Sequence, residues 1–74
     1  MENHMQMWEY MTVEAQFVGR QYVARIANER EIDNWKNKPL AQFINELGER
    51  GWEMCGILGF PYQGIYVFFK RPKP

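Results

Sequence analysis

The chain has no serine, one threonine (Thr12), one cysteine (Cys55), one histidine (His4) and one aspartate (Asp33). Each scarcity removes a class of chemistry. A single thiol cannot form an internal disulfide or build a structural zinc site. Cys–His nucleophilic catalysis would need Cys55, which the pattern puts inside a strand, to meet His4 in the N-terminal tail. A small buried thiol is the simpler expectation for Cys55. Paired-carboxylate catalysis needs two acids converging in a cleft. Here the glutamates are scattered: Glu29 and Glu31 read as a solvated run, and Glu46 and Glu49 as helix surface charge. Glu53, beside Trp52, reads as a capping or basic-pairing residue. The tetrapeptides GERG and GILG lack the strand–loop–helix setting of a phosphate loop. These absences lead us to expect a protein that is not an enzyme, with no cofactor and no metal.

Long apolar runs are missing as well. Nothing approaches the roughly 18 residues of a membrane span, and MENHMQMWEY is not laid out as a signal peptide. We expect a cytoplasmic protein without a membrane partner. Nine basic and nine acidic residues cancel, which argues against general attraction to nucleic acid. The charge is uneven: Glu2, Glu9 and Glu14 make the first segment acidic, and Lys70, Arg71 and Lys73 make the last one basic.

What the chain does have is aromatic and β-forming residues in alternation. At 74 residues it forms one domain, 1–74, near the lower end of what folds alone. Residues 5 to about 18 are free of Gly and Pro and read as a strand. Gly19-Arg20 fits a two-residue type II′ turn. That turn pairs Val18 with Gln21, Phe17 with Tyr22, Ala15 with Ala24 and Val13 with Ile26, and it sets Glu14 opposite Arg25 on the other face. Residues 28–38 are polar except for Ile32 and Trp35. They either extend the second strand to about Ile32 or form an irregular connection, with Trp35 against the edge of the core.

A helix is expected from near Asn37 or Lys38, with Pro39 in its first turn. Leu40, Phe43, Ile44 and Leu47 fall at i, i+3, i+4 and i+7, one apolar stripe. Gly51 is the stop, and Trp52 is placed to touch Leu47 in a Schellman closure. Gly48, inside the helix, is explained by close packing on the sheet. Two further strands follow, about 52–60 and 65–71, joined by a turn over Pro61, Tyr62, Gln63 and Gly64. Pairing Phe60 with Ile65 sets Leu58 opposite Val67 and Gly56 opposite Phe69 on one face. It sets Ile57 opposite Phe68 and Cys55 opposite Lys70 on the other.

The expected fold is therefore α+β, a four-stranded, mostly antiparallel sheet with one helix on one face (β-β-α-β-β). Alternate residues of a strand face opposite ways, so Ile65, Val67 and Phe69 share one face and Tyr66 and Phe68 the other. Both faces of the last strand are apolar, and one helix covers only one. An uncovered apolar face usually marks an interface. The expected function is a homo-oligomerising interaction module, most simply a two-fold dimer, with a second protein partner as a variant of it. The contact would use the open face or the sheet edge, through Trp8, Tyr10, Ile57, Tyr66, Phe68 and Lys70. The alternative is single-stranded nucleic-acid binding by aromatics beside Lys70 and Arg71, disfavoured by the zero net charge. A small apolar ligand between helix and sheet is a further alternative.

Three segments also carry a resemblance: WEY at 8–10, INELGERGWEM at 44–54 and YVFFKRP at 66–72. Together they resemble a small prokaryotic domain-of-unknown-function family, number 4177, whose members read KWEYKVV, LNELGAEGWELV and FFKRP at these places. The resemblance spans nearly the whole chain. It implies a strand–strand–helix–strand–strand domain with no assigned activity and no catalytic residues to carry over. The matched Leu47, Gly48, Gly51, Trp52, Glu53, Phe69, Lys70 and Arg71 read as structural. The chain departs from the pattern at Met54-Cys55-Gly56 and in the polar segment 28–38.

Overall fold

The computed structural model describes residues 5–60 and 64–74. Among them are five strands and one α-helix: β1 Trp8–Val18, β2 Gln21–Ala27, β3 Arg30–Glu31, α1 Leu40–Glu49, β4 Glu53–Phe60 and β5 Gly64–Pro72. The sheet order is β3-β2-β1-β5-β4, and every neighbouring pair is antiparallel. The α+β class and the single helix agree with the sequence reading. The expectation of four strands does not. After Ala27 the chain does not run on to Ile32, and the irregular connection, with its one 3₁₀ turn, begins only after Glu31. Asn28 and Glu29 both take positive φ, 49° and 67°, as a two-residue type I′ hairpin requires. The chain turns back, and Arg30–Glu31 pairs with Ile26 and Ala27. Asn28 also ties the turn to β1, donating its N–H to the Thr12 carbonyl at 2.9 Å.

The first hairpin begins in the expected register. Gly19 has φ 66° and Arg20 has no positive φ, the type II′ pattern. Val18 pairs with Gln21, Phe17 with Tyr22 and Ala15 with Ala24. The register then shifts between Glu14 and Ala15, so Glu14 meets Ile26 and Val13 meets Ala27. The expected Val13–Ile26 and Glu14–Arg25 pairs are thus displaced by a β-bulge, which gives one strand an extra residue. The freed Arg25 donates to Gln16 Oε1 at 2.8 Å and lies over the Trp35 ring at 4.8 Å. The 3₁₀ turn Trp35–Asn37 packs beside β2. Trp35 is half-buried there and takes no part in the main core.

That core lies between α1 and one face of the sheet. Val13, Ala15, Ala24, Leu40, Leu47, Val67 and Phe69 are buried together, with Phe43, Ile44 and Trp52 packed against them. The helix stripe read from the sequence is the stripe that is buried. The helix starts later than expected: Pro39 stands before it with ψ 138°, its carbonyl accepting from Phe43 at 3.0 Å. Its end is the Schellman closure. Gly51 has φ 88°, its N–H donates to the Gly48 carbonyl, and the Trp52 N–H donates to the Leu47 carbonyl, each at 3.0 Å. Gly48, by contrast, has nothing within 4 Å of where a Cβ would sit. The close-packing explanation for Gly48 fails.

The second hairpin closes one residue earlier than expected, with Phe60 opposite Gly64, Gly59 opposite Ile65, Leu58 opposite Tyr66 and Ile57 opposite Val67. Of the expected turn, Pro61, Tyr62 and Gln63 lie outside the described residues. Gly64 has φ 100°, and a Cβ on it would collide with the Ala15 carbonyl oxygen of β1. A one-residue slip exchanges the faces of a whole strand, with consequences for the surface described next. Gly48 and Gly64 give opposite expectations for urea denaturation. Gly48→Ala should stabilise the fold by about 1 kcal/mol, the helix-propensity difference, and Gly64→Ala should destabilise it by about 1–3 kcal/mol through forced backbone movement.

Candidate interaction surface

The side of the sheet away from α1 carries alternate residues of β1 and β5, brought together by the pairs Trp8–Pro72, Tyr10–Lys70, Thr12–Phe68 and Glu14–Tyr66. The alternation predicts this grouping. Five of the six expected surface residues share this open face: Trp8, Tyr10, Tyr66, Phe68 and Lys70. Tyr10 is 66% exposed, Phe68 37% and Trp8 36%, high values for side chains of this size. The Lys70 ammonium lies 4.5 Å from the centre of the Trp8 ring, a cation–π contact that fixes both at one end of the face.

Ile57 is the exception. It sits opposite buried Val67 and so faces the helix side of edge strand β4, beyond the reach of α1, at 60% exposure. Its place on the open face is taken by Leu58, opposite Tyr66 and 49% exposed. The cause is the hairpin register, with a second bulge between Met54 and Gly56. Cys55 lies in that bulge. It is exposed, which corrects the expectation of a buried thiol, and its Sγ lies 3.4 Å from the Phe68 carbonyl oxygen.

The open face is not purely apolar. Glu14 lies at its centre, and Glu53 pairs across strands with Lys70. Where β2 ends and β1 continues, an open groove of about 520 Å³ is lined by Tyr10, Thr12, Glu14, Ile26, Asn28 and Glu29. Sequence reasoning missed Leu58 and Ile26 on this face, and it set Glu14 there without counting it among the contact residues. A Gly-rich strand could have warned of a bulge in β4, but no local signal marks the one in the first hairpin. Glu14 holds the Tyr66 phenol above its ordinary value of 10.0, first by accepting its hydrogen bond, then by its negative charge, with burial adding to both.

On the helix side, Arg71 ties the elements together. It pairs with Glu9 of β1, stacks its guanidinium 4.2 Å from the Trp52 ring and donates to the Arg50 carbonyl at the helix end at 3.1 Å. A groove of about 310 Å³ opens at the start of the helix, lined by Gln21, Tyr22, Pro39, Leu40, Ala41 and Ile44. Among the described residues no group of His, Cys, Asp and Glu could hold a metal ion, and no helix is long and apolar enough to cross a membrane. His4 lies outside the described residues.

Compared with known proteins, the chain matches no family model, no curated protein and no solved structure. The open face is therefore read from its own geometry. The Glu14–Tyr66 contact gives a pH expectation. Because the folded-state value is raised, its contribution to stability is present below pH 10.0 and is lost as pH rises through the elevated value. In an ultraviolet titration of the folded protein, Glu14→Gln should move the Tyr66 midpoint down toward 10.0. An unchanged titration would rule the contact out.

Proposed function

We propose that this chain is a non-enzymatic interaction module that associates with its own copies through the open face of the sheet. The observation that carries the reading is the grouping of Trp8, Tyr10, Leu58 and Phe68 on the side opposite α1, all exposed. The four longer strands, spaced about 4.8 Å apart and about nine residues long on average, make a face of roughly 500 Å² in flat projection. That is the order of the ~800 Å² each partner buries in a standard interface. The mixed character of the face also suits a specific contact, with aromatic anchors surrounded by charge.

The nucleic-acid alternative draws on one feature, Lys70 beside Trp8. Against it stand the carboxylates of Glu14, Glu29 and Glu53 on or beside the same face, which repel phosphate. A small apolar ligand is the weaker alternative, since the open-face groove is edged by Glu14 and Glu29 and the groove at the start of the helix is a shallow opening at the margin of the core. We further propose a cytoplasmic location, supported by the lone thiol. Membership of the domain family of unknown function named above is likewise our proposal, supported by the three matching segments.

Sedimentation equilibrium at tens of micromolar tests the main reading. The wild-type chain should be associated, and Tyr10→Glu and Phe68→Glu should each weaken association by about tenfold or more, equivalent to about 1.4 kcal/mol. A clean wild-type monomer refutes it. Salt-sensitive quenching of tryptophan fluorescence by single-stranded oligonucleotides would favour the nucleic-acid alternative instead.

A further inference from the structure

The two edges of the sheet are built differently. At one, β3 has two residues, both charged. The chain then folds back along β2, where Pro39 bridges Val23 and the Lys38 carbonyl accepts from the Ala24 N–H at 2.9 Å. Shortness, charge and proline are devices that close an edge to another chain. The opposite edge has none of them. β4 runs eight residues, Glu53–Phe60, with no proline and no charge beyond Glu53. Among the described residues nothing pairs with its outer side, so alternate backbone N–H and C=O groups point outward. The side chains along it are apolar on both faces, Ile57 toward the helix side and Leu58 toward the open side. An uncharged, proline-free β segment on an exposed edge is a template for strand addition.

The geometry points to the outer edge of β4 as a strand-pairing site whose occupant is β4 of a second copy, antiparallel about a two-fold axis perpendicular to the sheet. Charge is the first reason for a self-copy. Residues 54–60 are uncharged, and antiparallel pairing sends the two Glu53 residues to opposite ends, over about 30 Å apart at ~3.3 Å per residue. Parallel pairing would stack them. Shape is the second. Beyond the bulge the strand is regular from Gly56 onward. Centring the axis on Leu58 keeps like faces together and sets Ile57 opposite the partner's Gly59, large beside small. Closure is the third. With the β3 edge blocked, addition stops at two copies instead of running into a filament. The product is one continuous sheet with both open faces on the same side. This pairing is separate from the association proposed above, which stacks sheets, whereas this one extends them.

Cysteine cross-linking tests it. In a Cys55→Ala background, Leu58→Cys should form a disulfide-linked dimer under mild oxidation, about tenfold or more faster than Lys36→Cys, which lies near the closed edge. Adding Ile57→Lys should abolish that cross-link while circular dichroism stays native, because Ile57 is exposed and lies on neither the core nor the open face. Adding Phe68→Glu should leave it intact even where sedimentation shows that sheets no longer stack face to face. Cross-linking at Leu58→Cys no faster than at Lys36→Cys, or unaffected by Ile57→Lys, overturns the edge pairing. Absence of the cross-link in a natively folded Phe68→Glu chain overturns the edge as a site of its own.

Discussion

The fold is constrained by how little one short helix can cover. Ten residues make a helix about 15 Å long and about 10 Å across, set against a sheet about 19 Å wide whose longest strand extends over about 35 Å. The helix buries the centre of one face, where Val13, Ala15, Val67 and Phe69 meet Leu40 and Leu47. It leaves Phe17, Tyr22 and Ile57 exposed around its margins and does not reach the opposite face, which is open along β1, β5 and β4 and closed only over Val23 of β2, beside the turn that carries Trp35. Small domains with one modest core have little stability to spare. In a chain whose lone cysteine can form no internal disulfide, the uncovered side is where further burial can be found.

Within the single core, much of the order converges on the end of the helix. The Schellman closure turns the chain by way of Gly51 into Trp52, and the ring of Trp52 is held under Arg71. Arg71 reaches β1 through Glu9 and the helix end through the Arg50 carbonyl. One planar guanidinium thereby joins three elements distant in sequence, a task to which the compact ammonium of lysine is poorly suited. The same strand serves the other face through Tyr66, Phe68 and Lys70. β5 is therefore the element through which core and surface are coupled.

The parts legible in the sequence were those set by local rules. The i, i+3, i+4, i+7 stripe, the Gly51–Trp52 stop and the II′ turn at Gly19 all specify their own geometry, and the alternation in β5 assigned Phe68 and Phe69 to opposite sides. What was illegible came from single inserted residues. A bulge near Glu14 moved Ile26 to the open side. Another at Cys55, with a hairpin closing one residue early, exchanged Ile57 for Leu58. The fifth strand was hidden because its I′ turn uses Asn28-Glu29 where a glycine would have announced it. The Arg71–Trp52–Glu9 junction joins residues up to 62 positions apart, so no local pattern could have shown it.

Coverage of the open face by protein in solution is the central requirement. Hydroxyl-radical footprinting over a range of chain concentrations measures this residue by residue. Trp8, Tyr10 and Phe68 should become protected as concentration rises, while Phe17, exposed on the helix side of β1, reacts alike throughout. Equal modification of all four at every concentration would contradict a covered face.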